Sequence, residues 1–278
     1  MSDLVVRRLP FEFDGVRFLW NPNNPGFSMW GNSISFGAIG FEAWLVRVMR
    51  QVIPEIRDEA IREEALQFTE QEAVHAAAHN KHVKALIERY PGLADARQLA
   101  TSYFERTWKF DSVEESLCAI AALEATFTPS FKLVIDNRRV LMGDGDARVA
   151  SLLLWHFCEE IEHRSSALAV YHHLYGDRFA RLRRFPTLRR RISDFLRAMR
   201  AEFRKHVPEE ETRTHGQRAF GEVPRRDKWV ASSRILLSQT PWHDPDRASL
   251  PRWASTWFEA YERGEEMTRF YGAQSRGM

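Results

Sequence analysis

Beyond residue 33, apolar residues recur every three or four positions along most of the chain, the rhythm of helices with one buried face. The spacing predicts helices over 34–52, 56–89, 94–109, 112–140 and 146–174. Another is expected over 187–206, a short one near 226–238 and a last one over 251–268. "DSVEE" at 111–115 marks one start, because Ser112 and Glu115 suit a reciprocal cap. "YPG" at 90–92 and "MGDGD" at 142–146 supply breaks. Pro129 should kink the fourth helix or open a turn in it, since proline removes a helical donor. Residues 1–33, with "LWNPNNPGFSMWGN", read as an irregular arm. No segment shows convincing strand alternation, so the class is all-α. The chain reads as one domain over 1–278: the arm at 1–33, a helix bundle at 34–174 and a helical extension at 175–278.

The apolar stripes carry unexpected chemistry. The second helix presents Ile61, Ala65, Phe68, Glu72, His75, His79, Val83 and Leu86 at stripe spacing. The fifth presents Leu153, His156, Glu160, His163, Ala167 and Val170. Both stripes are apolar at their ends and ionisable in the middle, the reverse of an ordinary amphipathic face. The first helix adds Glu42 between Ile39 and Leu45, and the fourth adds Glu124 between Ile120 and Phe127. Residues three apart on a helix share a face and can grip one ion. Four-helix carboxylate di-metal proteins use one Glu from each of two helices and Glu-x-x-His from each of the other two. That set is present here as Glu42, Glu72 with His75, Glu124, and Glu160 with His163. Glu42 and Glu72 are 30 residues apart and Glu124 and Glu160 are 36 apart, both suited to antiparallel pairs. The longer stretch from His75 to Glu124 holds a helix of its own, as a ferritin-like crossover requires. The expected fold is therefore a ferritin-like four-helix bundle with a long crossover and extra C-terminal helices. Ordinary histidines on solvated faces are the plain alternative.

"FTEQEAVHAAAHNKH" (68–82), "AALEATFTPSF" (121–131) and "LLWHFCEEIEHRSSALAVYHH" (153–173) resemble the ferritin-like family described as predicted metal-dependent hydrolases. "FLWNPNNP" and "TPWHDPD" are similar to that family too, so the resemblance covers most of the chain. Members often carry a His after the Glu of the "LE" segment, where this chain has Ala125. The pattern His156-x-x-x-Glu160-x-x-His163 also resembles the fourth helix of di-iron arylamine N-oxygenases, in which an extra His ligates iron. That resemblance makes His156 a candidate seventh ligand; the alternative is a supporting or core His one turn away. His79 is expected to support the ligands from behind. The resemblance implies that Glu72 and Glu160 bridge two ions, that His75 and His163 are terminal, and that Glu42 and Glu124 are terminal or shifting.

An oxygen and nitrogen donor set without thiolates is not a cysteine-type structural zinc site. It suits iron or manganese. The cofactor expected is two Fe ions, with a mixed Mn/Fe pair, Mn or Zn as alternatives. The favoured reaction is O2 activation followed by oxidation of a small organic substrate. A metal-dependent hydrolase using the same dinuclear site is the runner-up, since paired metals activate water. A non-catalytic metal-binding or storage protein is the third reading. The partners expected are thus a small-molecule substrate and O2.

Composition narrows the remaining choices. A net charge of +2 gives no global field, so nucleic acid is not an expected partner. The segment 178–205 has eleven basic residues against two acids, with Phe185, Leu188, Ile192, Phe195, Met199 and Phe203 in stripe register. It is expected to pack on the bundle with a solvated basic face, and a weak membrane-surface contact is the alternative. Cys118 and Cys158 are too few for a disulfide framework and read as core residues. Glu159 and Glu162 flank the metal stripe and should support it or be solvated. His82, His172 and His173 are expected at the periphery. Trp155 and Phe157 are read as core rather than pocket. The N-terminus lacks the long apolar stretch of a secretory signal, and no unbroken apolar run nears the ~18–20 residues of a membrane span. A cytoplasmic protein is expected, and a homodimer is common for such bundles.

Overall fold

The computed structural model of the chain describes residues 4–214 and 216–271, which contain helices and no strand. In chain order the helices are α1 (Pro25–Val52), α2 (Glu59–Arg89), α3 (Leu93–Thr107), α4 (Val113–Asp136) and α5 (Arg138–Met142). There follow α6 (Ala147–Glu162), α7 (Ser166–Leu174), α8 (Ala180–His206), α9 (Glu209–Thr212), α10 (Arg225–Leu237) and α11 (Arg252–Glu262). Short 3-10 turns occupy Ile53–Glu55 and Pro245–Arg247. The all-α class expected from the apolar rhythm is what the structure shows.

Several boundaries differ from the sequence expectation, each for a local reason. The first helix begins at Pro25 rather than at 34. Asn24 caps it by accepting from the Phe27 amide, and Pro25 occupies the first turn, where no donor is needed. "NPNNP" is therefore a helix start, and the irregular arm stops before it. Pro129 opens no turn: α4 runs unbroken past it to Asp136. The break comes at Asn137, whose side chain donates back to the Leu133 carbonyl and competes with the helix. The capping box at Ser112 and Glu115 is present with both bonds formed. The fifth expected helix, 146–174, is two helices. It stops at Glu162, where the Arg164 guanidinium takes the Ile161 carbonyl and the Pro245 carbonyl, each at 2.8 Å. The last helix ends at Glu262 rather than 268, because Gly264 adopts φ +73°, the left-handed turn that closes a helix. The basic helix starts earlier than expected, at Ala180, and runs through Pro186.

Helix α1 packs chiefly against α2, and α4 against α6, while α1 meets α4 and α2 meets α6. Side-chain contacts give the directions. Ser35 of α1 reaches both His79 and His82 of α2, and His75, His79 and Glu72 of α2 meet Glu159, His156 and His163 in turn. Index rises on one side as it falls on the other, so α2 runs antiparallel to α6; with Ser35 beside His79 and Glu42 close enough to Glu72 for their charges to interact, α1 also runs antiparallel to α2. Phe131 of α4 stacks on Phe157 of α6 at 4.0 Å between ring centroids. The α2-to-α4 connection holds α3, which lies against α1 and α8. This order is compatible with the ferritin-like arrangement expected.

Close approach fixes α3 against α1. A Cβ at Gly40 would sit 2.2 Å from the Ala100 carbonyl oxygen, so only glycine fits. Aromatic rings fill the space alongside: Trp44, Phe104 and Trp108 lie within 6.2 Å of one another by centroid. Helix α4 is long and apolar enough to cross a membrane by length and composition, yet 72% of its most apolar window is buried inside the protein. It is a bundle core helix. The apolar stripe of α8 also faces inward, with Leu188, Phe195, Met199 and Phe203 buried.

Candidate metal centre

The candidate ligands read from the sequence reach one buried place between α1, α2, α4 and α6. Glu42, Glu72, His75, Glu124, His156, Glu160 and His163 are all buried. Two overlapping groups have ligand atoms within 4.8 Å of one another: Glu42, His75, His156 and Glu160; and Glu72, His75, Glu160 and His163. His75 and Glu160 belong to both. Glu160 Oε1 lies 2.8 Å from His156 Nε2, 3.8 Å from His75 Nδ1 and 3.9 Å from His163 Nε2. Glu42 Oε1 lies 3.4 Å from His156 Nε2. Glu72 Oε1 is 3.1 Å from His163 Nε2, and Glu124 Oε2 is 3.5 Å from His163 Nδ1.

Local structure aims these groups. Glu72, His75 and His79 sit on one stripe of α2, and His156 and Glu160 on one stripe of α6, as i, i+3 and i, i+4 neighbours. His163 differs from expectation: it is the residue that caps α6, not a member of a continuous helix to 174. The turn that follows places its ring between Glu72 and Glu124 and over Phe68, 4.7 Å away by centroid.

The charge balance is lopsided. Burial pushes the Glu42 carboxyl well above its usual range, helped by the charges of Glu72 and Glu124. Burial, with Glu124 and Glu72 nearby, does the same to Glu160, and burial also raises Glu124. His163 is opposed by burial, but Glu160, Glu124 and Glu72 outweigh it and raise its basicity well above normal. His156 moves the other way, since burial and the neighbouring His75 and His79 hold it neutral.

These features test whether metal suits the site. Both oxygens of Glu72 and of Glu124, one oxygen each of Glu42 and Glu160, His75 Nδ1 and both ring nitrogens of His163 are buried without a hydrogen-bond partner in the protein. Leaving such atoms unmatched costs about 1–3 kcal/mol each, more when charged. Divalent cations satisfy carboxylate oxygens and imidazole lone pairs together. The donor set suits bound metal, and Glu160 and His75 belong to both groups.

The surrounding contacts hold the rings in place. His75 Nε2 bonds Glu159 at 2.8 Å, which turns Nδ1 toward the cluster. Glu159 is in turn bonded by Arg7 at 3.0 Å, and Arg7 also grips Glu162 with two nitrogens. Gln71 donates to Glu162 and to the Val5 carbonyl. The Arg7 guanidinium lies over Phe258 and Tyr261 of α11, 4.7 and 5.4 Å from their centroids. On the other side, His156 Nδ1 meets His79 Nε2 at 2.8 Å, His79 Nδ1 meets Ser35 Oγ at 3.0 Å, and Ser35 Oγ meets His82 Nδ1 at 3.0 Å. This chain can be polarised in either direction. If the His156 Nε2 lone pair serves a metal, its Nδ1–H donates to His79, and each bond beyond turns the same way.

Four of these contacts were not anticipated. His82, expected at the periphery, is fully buried and pushed down to about 4 by burial. Its place two turns of helix beyond His75 was visible, but its contact with Ser35 across helices was not. Arg7 lies in an arm with no periodicity, and it meets Glu159 across 152 residues of chain. Ser35 and Gln71 gave no signal beyond being polar in buried helices. His172 and His173 do lie outside the cluster, and Cys118 and Cys158 are buried and free. Trp155 packs edge-on against His75, 5.0 Å away by centroid, as a core residue.

No curated protein and no solved structure matches the chain. The comparisons therefore give no support to a relationship with the arylamine N-oxygenases. A family model described as predicted metal-dependent hydrolase matches residues 5–245, from the arm that carries Arg7 through all the bundle helices and the turn that binds Arg164. The buried His and Glu groups are able to hold a metal, in keeping with that description, and the chain belongs to the predicted metal-dependent hydrolase family.

Proposed function

We propose that the protein is a hydrolase with a dinuclear metal centre in its helix bundle, acting on a small organic substrate. The observation that carries this reading is the pair of buried His and Glu groups sharing His75 and Glu160. Glu42, Glu72, His75, Glu124, Glu160 and His163 would hold the metal pair, with His156 as a seventh donor on the Glu42 side. When bound, such a pair supplies Lewis acidity and makes water nucleophilic near neutral pH.

The chain's own groups define a working side. Of the cluster, Glu42, His156 and Glu160 line a neighbouring cavity, whereas Glu72, Glu124 and His163 do not. Catalytic sites keep a position open to substrate, so the Glu42/His156 side is the working one and the Glu72/His163 side the closed one. Phenylalanines around the cavity exclude bulk water and strengthen polar interactions inside. Glu159 and Arg7 orient His75, and His79 with Ser35 orients His156.

The oxidative reading uses the same residues with iron and O2. It draws on the apolar character of that cavity, a poor reservoir for the water a hydrolase consumes. One experiment separates the two. Load metal-free protein separately with Zn(II), Mn(II) or Fe(II) and assay a panel of small esters, amides and amines, each with and without O2. Metal-dependent turnover lost in Glu160→Gln supports hydrolysis. Turnover only with Fe(II), accompanied by O2 consumption, replaces it with the oxidative reading.

A further inference from the structure

Beside the cluster lies a cavity of about 120 Å³ bounded by α1, α3, α4, α6 and α8. Its deep end is polar, formed by Glu42, His156 and Glu160. Phe41, Phe104, Phe131 and Phe195 make apolar walls and are buried. Ile34, Phe127, Ile192 and Leu196 line it too and are only half-buried, so that edge is the mouth. Helix α8 supplies the roof. Phe195 approaches bare backbone: a Cβ at Gly37 would lie 3.0 Å from its Cε1.

We propose that this cavity is the apolar subsite for the substrate and takes a compact hydrophobic group, an aromatic ring or branched hydrocarbon of about six carbons, whose polar function faces Glu42 and Glu160. The proposal rests on the enzymatic reading above and names its substrate class. Size argues for one group rather than a whole ligand, since pockets enclosing drug-sized molecules run to about 300–1,000 Å³. An apolar cavity of about 150 Å³ holds benzene. Among the described residues, and apart from those of the cluster, the only polar side chain in the lining is Ser33, so recognition at this end is by shape and burial. A charged or sugar-like group would lose its hydration there without replacement. Leu123, Phe195 and Leu196 are thereby specificity-determining residues.

The test uses full-length, metal-free protein and 19F NMR, so that it does not depend on turnover. Fluorobenzene should bind saturably to the wild type. Leu123→Phe, which adds bulk to the wall, should weaken it about tenfold or more. Phe195→Ala, which widens the roof, should shift preference about tenfold toward 1-fluoronaphthalene. Circular dichroism verifies that each variant is folded, and either variant alone suffices for the comparison. Glu72→Gln, which lies outside the cavity lining, should keep fluorobenzene binding while weakening metal binding, which separates the cavity from the metal reading. Absence of saturable binding to folded wild type would overturn the proposal. So would binding that neither variant alters, because the probe would then sit elsewhere.

Discussion

Glu160 stands in both buried His/Glu groups, so one substitution reaches both metal positions. Glu160→Gln keeps the shape and removes the charge; it should abolish binding of both ions, whereas Glu42→Gln should weaken one. Equilibrium titration with Zn(II) or Co(II) distinguishes these outcomes. Glu159 acts one bond further out. It holds His75 through Nε2, and loss of a partner of this kind lowers metal affinity by about 10–100-fold. Glu159→Gln should fall in that range with the fold unchanged by circular dichroism, and a variant as tight as wild type would show that His75 needs no such support. Arg7 carries a heavier structural duty. It is buried against Glu159 and Glu162, and both carboxylates help raise its basicity against the effect of burial. Removing one member of a buried ion pair leaves the other uncompensated, at a cost of about 3–5 kcal/mol. Arg7→Met should be destabilised by roughly that amount in urea unfolding, and a loss near zero would mean that water or rearrangement replaces the guanidinium.

Among the helices, α1 and α3 meet where a side chain has no room. Gly40→Ala would drive a methyl into the Ala100 carbonyl and push the helices apart, two residues from Glu42. Overpacking of this kind costs about 1–3 kcal/mol, occasionally more. The variant should melt earlier and bind metal more weakly at the Glu42 position; unchanged melting would mean that α3 yields freely. The stripes of α2 and α6 were legible because burial imposes a 3.6-residue rhythm, and acids and histidines on that rhythm stand out. Helix ends were less legible because they depend on contacts far along the chain. Arg164 closes α6 through a carbonyl at Pro245, and nothing near residue 163 signals it. Asn24 with Pro25 was readable as a cap but was hidden among other prolines and asparagines of the arm. Arg7 could not be read at all, since it belongs to the site only through folding; α8 was legible as a helix packed on the bundle, but its place over the cavity was not.

On the scale of the whole molecule, the bundle concentrates carboxyl groups in its own interior. Glu42, Glu124, Glu160 and His163 all hold protons more tightly when folded than when unfolded. For groups with raised values, the stabilisation they give is present at low pH and is lost as pH rises from their ordinary values, about 4.3 for Glu and 6.5 for His, through the raised ones. His79 and His156 have lowered values and act oppositely: their neutral burial costs stability as pH falls below about 6.5. The metal-free protein should therefore lose stability as pH rises above neutrality, whereas below about 6.5 the raised carboxyls and the buried neutral histidines oppose each other. Cations that displace protons from Glu42, Glu160 and His163 should bind more tightly as pH rises, with proton release. Calorimetry in two buffers of different ionisation heat reads that release, and binding heats independent of buffer would contradict it. One buried cluster is proposed to hold two ions. The most direct test is the number of metal equivalents bound per chain, by titrating metal-free protein with Co(II) and counting by elemental analysis after desalting. The account predicts two ions per chain in the wild type and none retained in Glu160→Gln, with a higher melting temperature only where metal is held. A wild type that retains fewer than two ions, or a Glu160→Gln variant that retains two, would contradict it.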